Sequence, residues 1–147
     1  MKCSEYKKDK RTKNLTLRDI HVGDWVQVWS ETTERYSPPL KITQICDDGT
    51  IYLVTSDEER PTPWEEDIKN VDALEITPEL LKGFGFKENP SQPYFIEYPE
   101  YHLIYHWGSI VLKKGKCTIL YEGEHFHELQ QFLDSIGEPS DFIWQGI

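Results

Sequence analysis

The sequence lacks the patterns on which disulfide-linked, zinc-thiolate and membrane-spanning proteins are built. Among its 147 residues are three cysteines, Cys3, Cys46 and Cys117, an odd number without CxxC spacing. This argues against a disulfide scaffold and a cysteine-based zinc site. No apolar run approaches the ~18 residues that a membrane-spanning helix needs, and the first residues contain no apolar segment of a secretory signal. We therefore expect a cytoplasmic protein without a membrane partner.

Recognisable catalytic motifs are also missing. Residues 82–86 contain two glycines but lack the spacing and the Lys-Ser/Thr pair of a phosphate-binding loop. Cys117 lies in an apolar strand-like run, where a cysteine is usually an inert small hydrophobe rather than a nucleophile. The adjacent acids of residues 47–48 and 65–67 fall in expected turns and are typical of solvated surface. We predict no catalytic residues, no cofactor and no bound metal, which favours a protein that is not an enzyme without deciding the question.

Charge is divided unevenly along the chain. The net charge is −10, and residues 1–14 carry six basic groups against two acids, +4, so the remaining 133 residues carry −14. An acidic body repels phosphate, so we expect no nucleic acid to bind the folded part. Residues 1–14 are expected to form a disordered basic tail. The alternative, a small nucleic-acid-binding barrel that this tail steers to phosphate, stays open.

Two segments near the N-terminus predict a small, strongly bent β-barrel. Residues 22–29 alternate with the two-residue period of a strand. Residues 40–54 place Asp48-Gly49 between two apolar runs, which predicts a hairpin with a tight primed turn, whose two central residues have positive φ. Residues 64–68 are expected to form one helical turn before a last strand at 71–76. This order of elements is that of an SH3-like barrel over residues 15–76.

The second half predicts an antiparallel β-meander between two helices. Thr77-Pro78 has the signals of a helix start, and Gly83 can take the left-handed conformation that closes the helix. Four strand-like runs follow, at residues 94–98, 101–106, 109–112 and 116–121, separated by turn signals. A final helix over residues 125–136 has one apolar stripe, formed by Phe126, Leu129, Leu133 and Ile136. We therefore predict an α+β protein: the barrel packed against a helix–β-meander–helix unit, residues 77–147.

Three short segments carry a resemblance to a known group of proteins. They are Gly23-Asp24-Trp25-Val26, residues 74–87, and residues 127–132. Together they resemble a family of small uncharacterised proteins carried on prophages and mobile elements of intestinal anaerobic bacteria. The resemblance covers about residues 17 to 137. It implies a phage or mobile-element context and supplies no catalytic residues.

Aromatic residues, 13% of the chain, provide the candidate binding site. In SH3-like barrels, aromatic side chains beside acidic loops form grooves for proline-rich or basic peptides. Acidic residues Glu58 and Glu59 would add to the charge of such a groove. The alternative is that the two tryptophans of the first strand are buried against the meander and join the two units into one core. The candidate binding residues are Trp25, Trp29, Tyr52, Trp64, Glu65 and Glu66.

We expect a non-enzymatic protein-interaction module, encoded by a prophage or mobile element, whose partner is a protein. Two other functions stay open. One is an acidic decoy that mimics DNA and occupies a host nucleic-acid-binding protein. The other is a metal-dependent hydrolase that uses His102 and His106, with Glu122 or Glu124 as a further ligand. The choice between a monomer and a homodimer is undecided, because an uncovered strand at the sheet edge would invite pairing.

Overall fold

The structure, a computed structural model, describes residues 11–55, 63–89, 92–98, 101–106, 109–114, 118–137 and 142–145. Over these residues the protein is α+β, mostly strands with two α-helices. The chain divides into two compact units, Met1–Leu74 and Glu75–Ile147, so the division falls two residues before the boundary expected from the sequence. None of the described helices is long and apolar enough to cross a bilayer.

The first unit is one antiparallel sheet that curls into a half-barrel. Its strands are hydrogen-bonded in the order β2-β1-β3-β4-β5, and β6 pairs with β1. A short 3₁₀ helix, Ile68–Asn70, lies between β5 and β6. The strands are β1 (Trp25–Ser30), β2 (Arg35–Tyr36), β3 (Leu40–Ile45), β4 (Thr50–Val54), β5 (Trp64–Asp67) and β6 (Val71–Ala73).

The core of this unit comes from the apolar face of each strand. Alternate residues of β1, Val26 and Val28, point into it, which leaves Trp25, Gln27 and Trp29 on the opposite face. Aliphatic residues from the other strands complete a continuous buried cluster. The cluster consists of Leu15, Ile20, Val26, Val28, Leu40, Ile42, Ile51, Leu53, Val71 and Ala73.

The hairpin between β3 and β4 lies where the Asp-Gly pair predicted it, but the turn differs. The Gly49 amide donates to the Cys46 carbonyl at 3.1 Å, and the Cys46 amide donates to the Thr50 carbonyl at 2.9 Å. Gly49 alone in this turn has positive φ, +95°, which makes a type I turn closed by a glycine bulge. The expectation that Asp48 also has positive φ is wrong, because a loop one residue longer needs a left-handed residue only at its end.

The helical turn expected over residues 64–68 is also wrong. Residues 64–67 form β5, which pairs with β4 through Leu53 opposite Trp64 and Ile51 opposite Glu66. The 3₁₀ helix begins only after β5, where the Asp67 carboxylate accepts from the Lys69 amide at 2.9 Å. The polar residues of β5 are extended because their backbone forms hydrogen bonds with β4. This pairing partner lies in a separate segment of the chain, so a local sequence pattern does not reveal it.

Hydrogen bonding of the first unit begins within the segment that we expected to be tail. The amide of Leu15 donates to the carbonyl of Val71 at 3.0 Å, and the amide of Ala73 donates to the carbonyl of Lys13 at 2.8 Å. Asn14 forms a β-bridge with Asp72. Residues 11–14 therefore lie along β6, while residues 1–10 lie outside the described residues.

The second unit contains a five-stranded antiparallel sheet and both α-helices. Its strands are hydrogen-bonded in chain order, from β7 to β11. Strands lie at each of the four predicted positions, and β7 precedes them without having been predicted. The elements are α1 (Pro78–Gly83), β7 (Lys87–Asn89), β8 (Gln92–Tyr98), β9 (Tyr101–His106), β10 (Ser109–Lys114), β11 (Thr118–Gly123) and α2 (Phe126–Ser135).

The ends of α1 show one prediction confirmed and one corrected. The Thr77 hydroxyl accepts from the Leu80 amide at 3.1 Å, which is the predicted N-cap. The left-handed residue after the helix is Gly85, with φ +90°, and not Gly83. Gly83 has another reason to be glycine, since a Cβ there would lie 2.2 Å from the ring of Trp144.

The last helix, α2, buries most of its predicted stripe. Phe126, Leu129 and Leu133 are each at most 1% exposed, whereas Ile136 follows the helix and is 41% exposed. The Phe84 and Phe126 rings stack with centroids 4.3 Å apart. Residues 142–145 add Phe142 and Trp144 to this aromatic cluster.

Candidate functional site

A cleft of about 520 Å³ lies on the first unit. It is formed by the end of β1, the loop that leads into β2, β2 itself, β5 and the 3₁₀ helix. Its lining combines aromatic rings with charged and hydroxyl side chains, and none of the described lining residues is a cysteine or a histidine. The lining residues are Val28, Trp29, Ser30, Glu31, Thr32, Thr33, Arg35, Tyr36, Ser37, Trp64, Glu66, Lys69 and Asn70.

The pairing of β5 with β4 places Trp64 and Glu66 in the cleft. They lie opposite Leu53 and Ile51, which are fully buried, so both point to the concave face of the half-barrel. Among the described strands β5 pairs only with β4, so its own residues are incompletely covered. Trp64 is 41% exposed as a result, a large fraction for an indole ring.

Glu65 lies on the opposite, outer face of β5. It is paired with Tyr52 of β4, and its negative charge is the largest cause that raises the pKa of the Tyr52 phenol. Neither residue lines the cleft. The two-residue period of the strand therefore separates Glu65 and Tyr52 from Glu66 and Trp64, although all four were predicted as one surface.

An aromatic pair, Trp29 and Tyr36, forms a second part of the cleft wall. The two residues are paired across β1 and β2. Their ring centroids are 4.9 Å apart at an interplanar angle of 64°, the edge-to-face arrangement that aromatic rings favour. Trp29 is only 8% exposed, so it shapes the wall more than it offers free surface. Trp25 is 1% exposed and does not line the cleft.

Behind this wall lies the fully buried carboxylate of Asp72. It accepts two hydrogen bonds from the Arg11 guanidinium, Nε to Oδ2 at 2.9 Å and a terminal nitrogen to Oδ1 at 2.6 Å. The Tyr36 hydroxyl donates to Oδ2 at 2.6 Å, and the Asn14 amide donates to Oδ1 at 3.1 Å. A buried charge is tolerated when it is paired and hydrogen-bonded in this way.

The electrostatics of the wall follow from this carboxylate. Its hydrogen bond with Arg11 is the main cause that raises the pKa of the guanidinium, which therefore stays charged. Burial, followed by the hydrogen bond to Asp72, raises the pKa of the Tyr36 phenol, which therefore stays protonated and able to donate. The Arg11 guanidinium carbon lies 5.9 Å from the Trp29 ring centroid, within cation–π range.

Among the described residues, four charged side chains line the cleft, and their charges balance. Glu31 and Glu66 carry negative charge, and Arg35 and Lys69 carry positive charge. Within the described part of the chain, none of the four forms a side-chain ion pair or hydrogen bond. They are therefore available to a ligand that carries charges of its own, and the hydroxyls of the β1–β2 loop add neutral donors and acceptors.

The two histidines proposed as metal ligands, His102 and His106, are distinct from a second pair, His125 and His127, near the start of α2. His102 and His106 lie in β9, but their side chains are outside the described part of the structure. His125 is the N-cap residue of α2, with Nδ1 2.8 Å from a Glu128 carboxylate oxygen, and its ring lies 6.1 Å from that of His127. Among the described residues no group of three or more His, Cys, Asp or Glu is placed to hold a metal.

The cleft thus brings together three of the predicted binding residues, Trp29, Trp64 and Glu66, and leaves out Trp25, Tyr52 and Glu65. Glu58 and Glu59 lie outside the described residues. Sequence reasoning missed Tyr36, Arg11 and Asp72. The one available signal was Asp72 itself, an acid between two apolar residues of a strand, since such a charge needs partners if the strand is buried.

Comparison of the chain with known protein families, characterised proteins and solved structures finds no match.

Proposed function

We propose that this protein is a non-enzymatic protein-interaction module whose first unit binds an extended peptide segment of a partner protein in the cleft. The observation that carries the proposal is Trp64, a 41% exposed indole that shares one strand face with Glu66, whose carboxylate has no partner among the described residues. A large aromatic surface beside an unpaired charge at the mouth of a cleft is the usual composition of a binding anchor.

An SH3-like barrel is part of this proposal. The strand order supports it, because the last strand, β6, returns to pair antiparallel with the first, β1, through Val26 opposite Ala73 and Val28 opposite Val71. A 3₁₀ helix directly precedes this last strand, and a hairpin joins β3 to β4. The cleft lies between the β1–β2 loop and the 3₁₀ helix, where an extended peptide can lie across the barrel.

The chemistry of the cleft favours a proline-containing peptide with a basic residue. Proline segments are already extended, so they lose little conformational entropy on binding, and their rings pack flat on indoles such as Trp64. A lysine or arginine beside them can stack on the same indole and pair with the Glu66 carboxylate. A neighbouring acidic residue of the peptide would find Arg35 or Lys69.

The biological setting is proposed from the resemblance of the segment Gly23–Val26 and residues 74–87 and 127–132 to prophage and mobile-element proteins. The proposed setting is a bacterial cytoplasm, with a host or phage protein as the proposed partner. The helices and meander of the second unit would form a helix–meander–helix module in this arrangement.

The test is an array of proline-rich decapeptides, with and without one lysine, followed by titration of the best peptide against purified variants. Trp64→Ala should weaken binding by at least about tenfold, as loss of an aromatic anchor does. Glu66→Gln should weaken the lysine peptide severalfold and leave its norleucine analogue unchanged. Glu65→Gln is the matched control, since it removes the same charge from the adjacent position on the outer face.

Equal effects of Glu65→Gln and Glu66→Gln would show that general acidity, not the cleft, attracts the peptide. An unchanged affinity in Trp64→Ala would exclude the cleft as the binding site. Circular dichroism of each variant checks that the fold is retained. We expect it to be retained, because the side chains of Trp64 and Glu66 are at least partly exposed.

A further inference from the structure

The Trp29–Tyr36 wall of the cleft is held from behind by a single carboxylate. Tyr36 packs on the Trp29 ring from one side, and its hydroxyl donates to Asp72 at 2.6 Å. Arg11 approaches the Trp29 ring at 5.9 Å, and its guanidinium is bound to the same Asp72 through two hydrogen bonds. Tyr36 and Arg11, which both contact the Trp29 ring, are therefore held in place by the single carboxylate of Asp72.

The same carboxylate fastens the N-terminal segment, residues 11–14. Besides Arg11, Asn14 donates to Asp72, and the Thr12 hydroxyl donates to the Ala73 carbonyl at 2.5 Å. The Thr12 amide donates to the Tyr36 hydroxyl at 2.7 Å. The hydroxyl of Tyr36 therefore accepts a hydrogen bond from the N-terminal segment and donates one to Asp72, so it connects the segment to the cleft wall.

We propose that Asp72 is a positioning residue that couples the N-terminal segment to the cleft wall, so that attachment of Arg11 sets the arrangement of Tyr36 and Trp29. Detachment of Arg11 leaves a fully buried carboxylate without its counter-charge, a state that must relax by moving groups around it. Tyr36 is one such group, and it carries the Trp29 contact with it. The consequence for ligand affinity rests on the proposed function of the cleft.

The coupling gives the N-terminal segment a role at the cleft without direct contact with a ligand. Whatever binds or removes the segment changes the wall, and by thermodynamic reciprocity a ligand that stabilises the wall holds the segment more tightly. Arg11 links the position of the segment to that of the wall, because it alone among the side chains of residues 11–14 contacts both Asp72 and Trp29.

Trypsin offers a direct measure of attachment, since it must extract the Arg11 side chain to cleave after it. The Arg18 side chain, exposed and with no partner among the described residues, is the internal reference in the same chain. Asp72→Asn removes the buried charge at constant shape, and Tyr36→Phe removes only the hydroxyl. We expect cleavage after Arg11, relative to Arg18, to rise about tenfold in Asp72→Asn, and about threefold in Tyr36→Phe, on the scale of charged and neutral hydrogen bonds.

Fluorine NMR of protein labelled with fluorotryptophan reports on the wall. The Trp29 resonance, assigned with Trp29→Phe, should move in Asp72→Asn, which changes no group in contact with the ring, and in Arg11→Gln, and return part of the way in Arg11→Lys, which keeps the charge but not the paired geometry. The Trp144 resonance is the control and should stay in place. A purely structural role of Asp72 would change stability without this selective movement of Trp29.

Two results would overturn the proposal: a Trp29 resonance that stays fixed in both Asp72→Asn and Arg11→Gln, or a rate of cleavage after Arg11 that Asp72→Asn leaves unchanged. Tyr36→Phe keeps the test decisive if Asp72→Asn does not fold. Neither measurement needs a ligand, so they decide the coupling even if no peptide binds the cleft. A peptide that binds yet leaves cleavage after Arg11 unchanged would refute the coupling and leave the proposed function standing.

Discussion

Replacement of Gly83 by alanine tests how the C-terminal residues 142–145 pack in the second unit. An added Cβ would lie 2.2 Å from Cζ3 and 2.4 Å from Cη2 of Trp144, far closer than atoms can approach. The backbone amide of Gln145 donates to the Gly83 carbonyl at 2.7 Å. This hydrogen bond holds residues 142–145 against the end of α1, so the two segments cannot move apart without breaking it. The Trp144 ring must move, and it contacts Phe84 at a centroid distance of 5.0 Å.

The magnitude follows from opposing effects. An alanine in place of a helical glycine normally stabilises a helix by about 1 kcal/mol. Here the overpacking costs about 1–3 kcal/mol, and loss of the Trp144–Phe84 ring contact removes about 0.5–1.5 kcal/mol more. We therefore expect Gly83→Ala to lower the free energy of unfolding by about 0.5–3.5 kcal/mol, against the usual direction.

The assay is a double-mutant cycle with Trp144→Ala, by urea unfolding followed by far-UV circular dichroism. Without the indole the added methyl group meets no ring, so Gly83→Ala should then stabilise the protein by up to about 1 kcal/mol. A stabilising Gly83→Ala in the intact protein would refute the packing of Trp144 on α1. Gly137→Ala is the control, because φ is +77° there and, its chain neighbours aside, no described residue has an atom within 4 Å of the added Cβ, so its effect should not depend on Trp144.

Three smaller effects should also be measurable. Thr77→Ala removes the N-cap of α1 and should lower the free energy of unfolding by about 1 kcal/mol in urea titrations. Gly49→Ala, at φ +95°, should cost about 1–2 kcal/mol in the same assay. Burial raises the pKa of Tyr121 above the ordinary 10.0, so its contribution to stability is fully present below pH 10.0 and is lost as pH rises further. Thermal melts across this range should fall less steeply with pH in Tyr121→Phe than in wild type, and equal slopes would contradict the shift.

Elements encoded by local patterns could be predicted from the sequence. The period of two in residues 22–29 predicts β1, the Thr77-Pro78 pair predicts the start of α1, and the spacing of Phe126, Leu129 and Leu133 predicts α2. Each pattern depends on residues within one or two turns or strand steps of each other. The strand β5 lacks such a pattern because its formation depends on backbone hydrogen bonds to β4, and four polar or exposed residues do not reveal them.

Local sequence patterns predicted only part of the candidate site, because they could not tell which face of β5 each residue lies on. Trp64, Glu65 and Glu66 are adjacent in sequence, and an expected helical turn would have let them share a surface. As a strand they alternate, and the register of β5 on β4 decides that Trp64 and Glu66 face the cleft while Glu65 faces away. Register is set by the whole sheet, so one residue of slip would exchange the two faces.

Asp72 shows why the rest of the site was hidden. An acid between Val71 and Ala73 signals an anomaly, but its partners lie 61 and 36 residues earlier in the chain, at Arg11 and Tyr36. Exchange of a whole buried ion pair for apolar residues of similar volume often leaves stability unchanged, because desolvation offsets attraction, whereas removal of one partner alone is strongly destabilising. What an apolar residue could not do is fix a guanidinium and a phenol at set positions around Trp29. The net contribution of the Arg11–Asp72 pair therefore lies in the geometry of the cleft wall more than in the stability of the half-barrel, and exchange of the whole pair for apolar residues should separate the two properties.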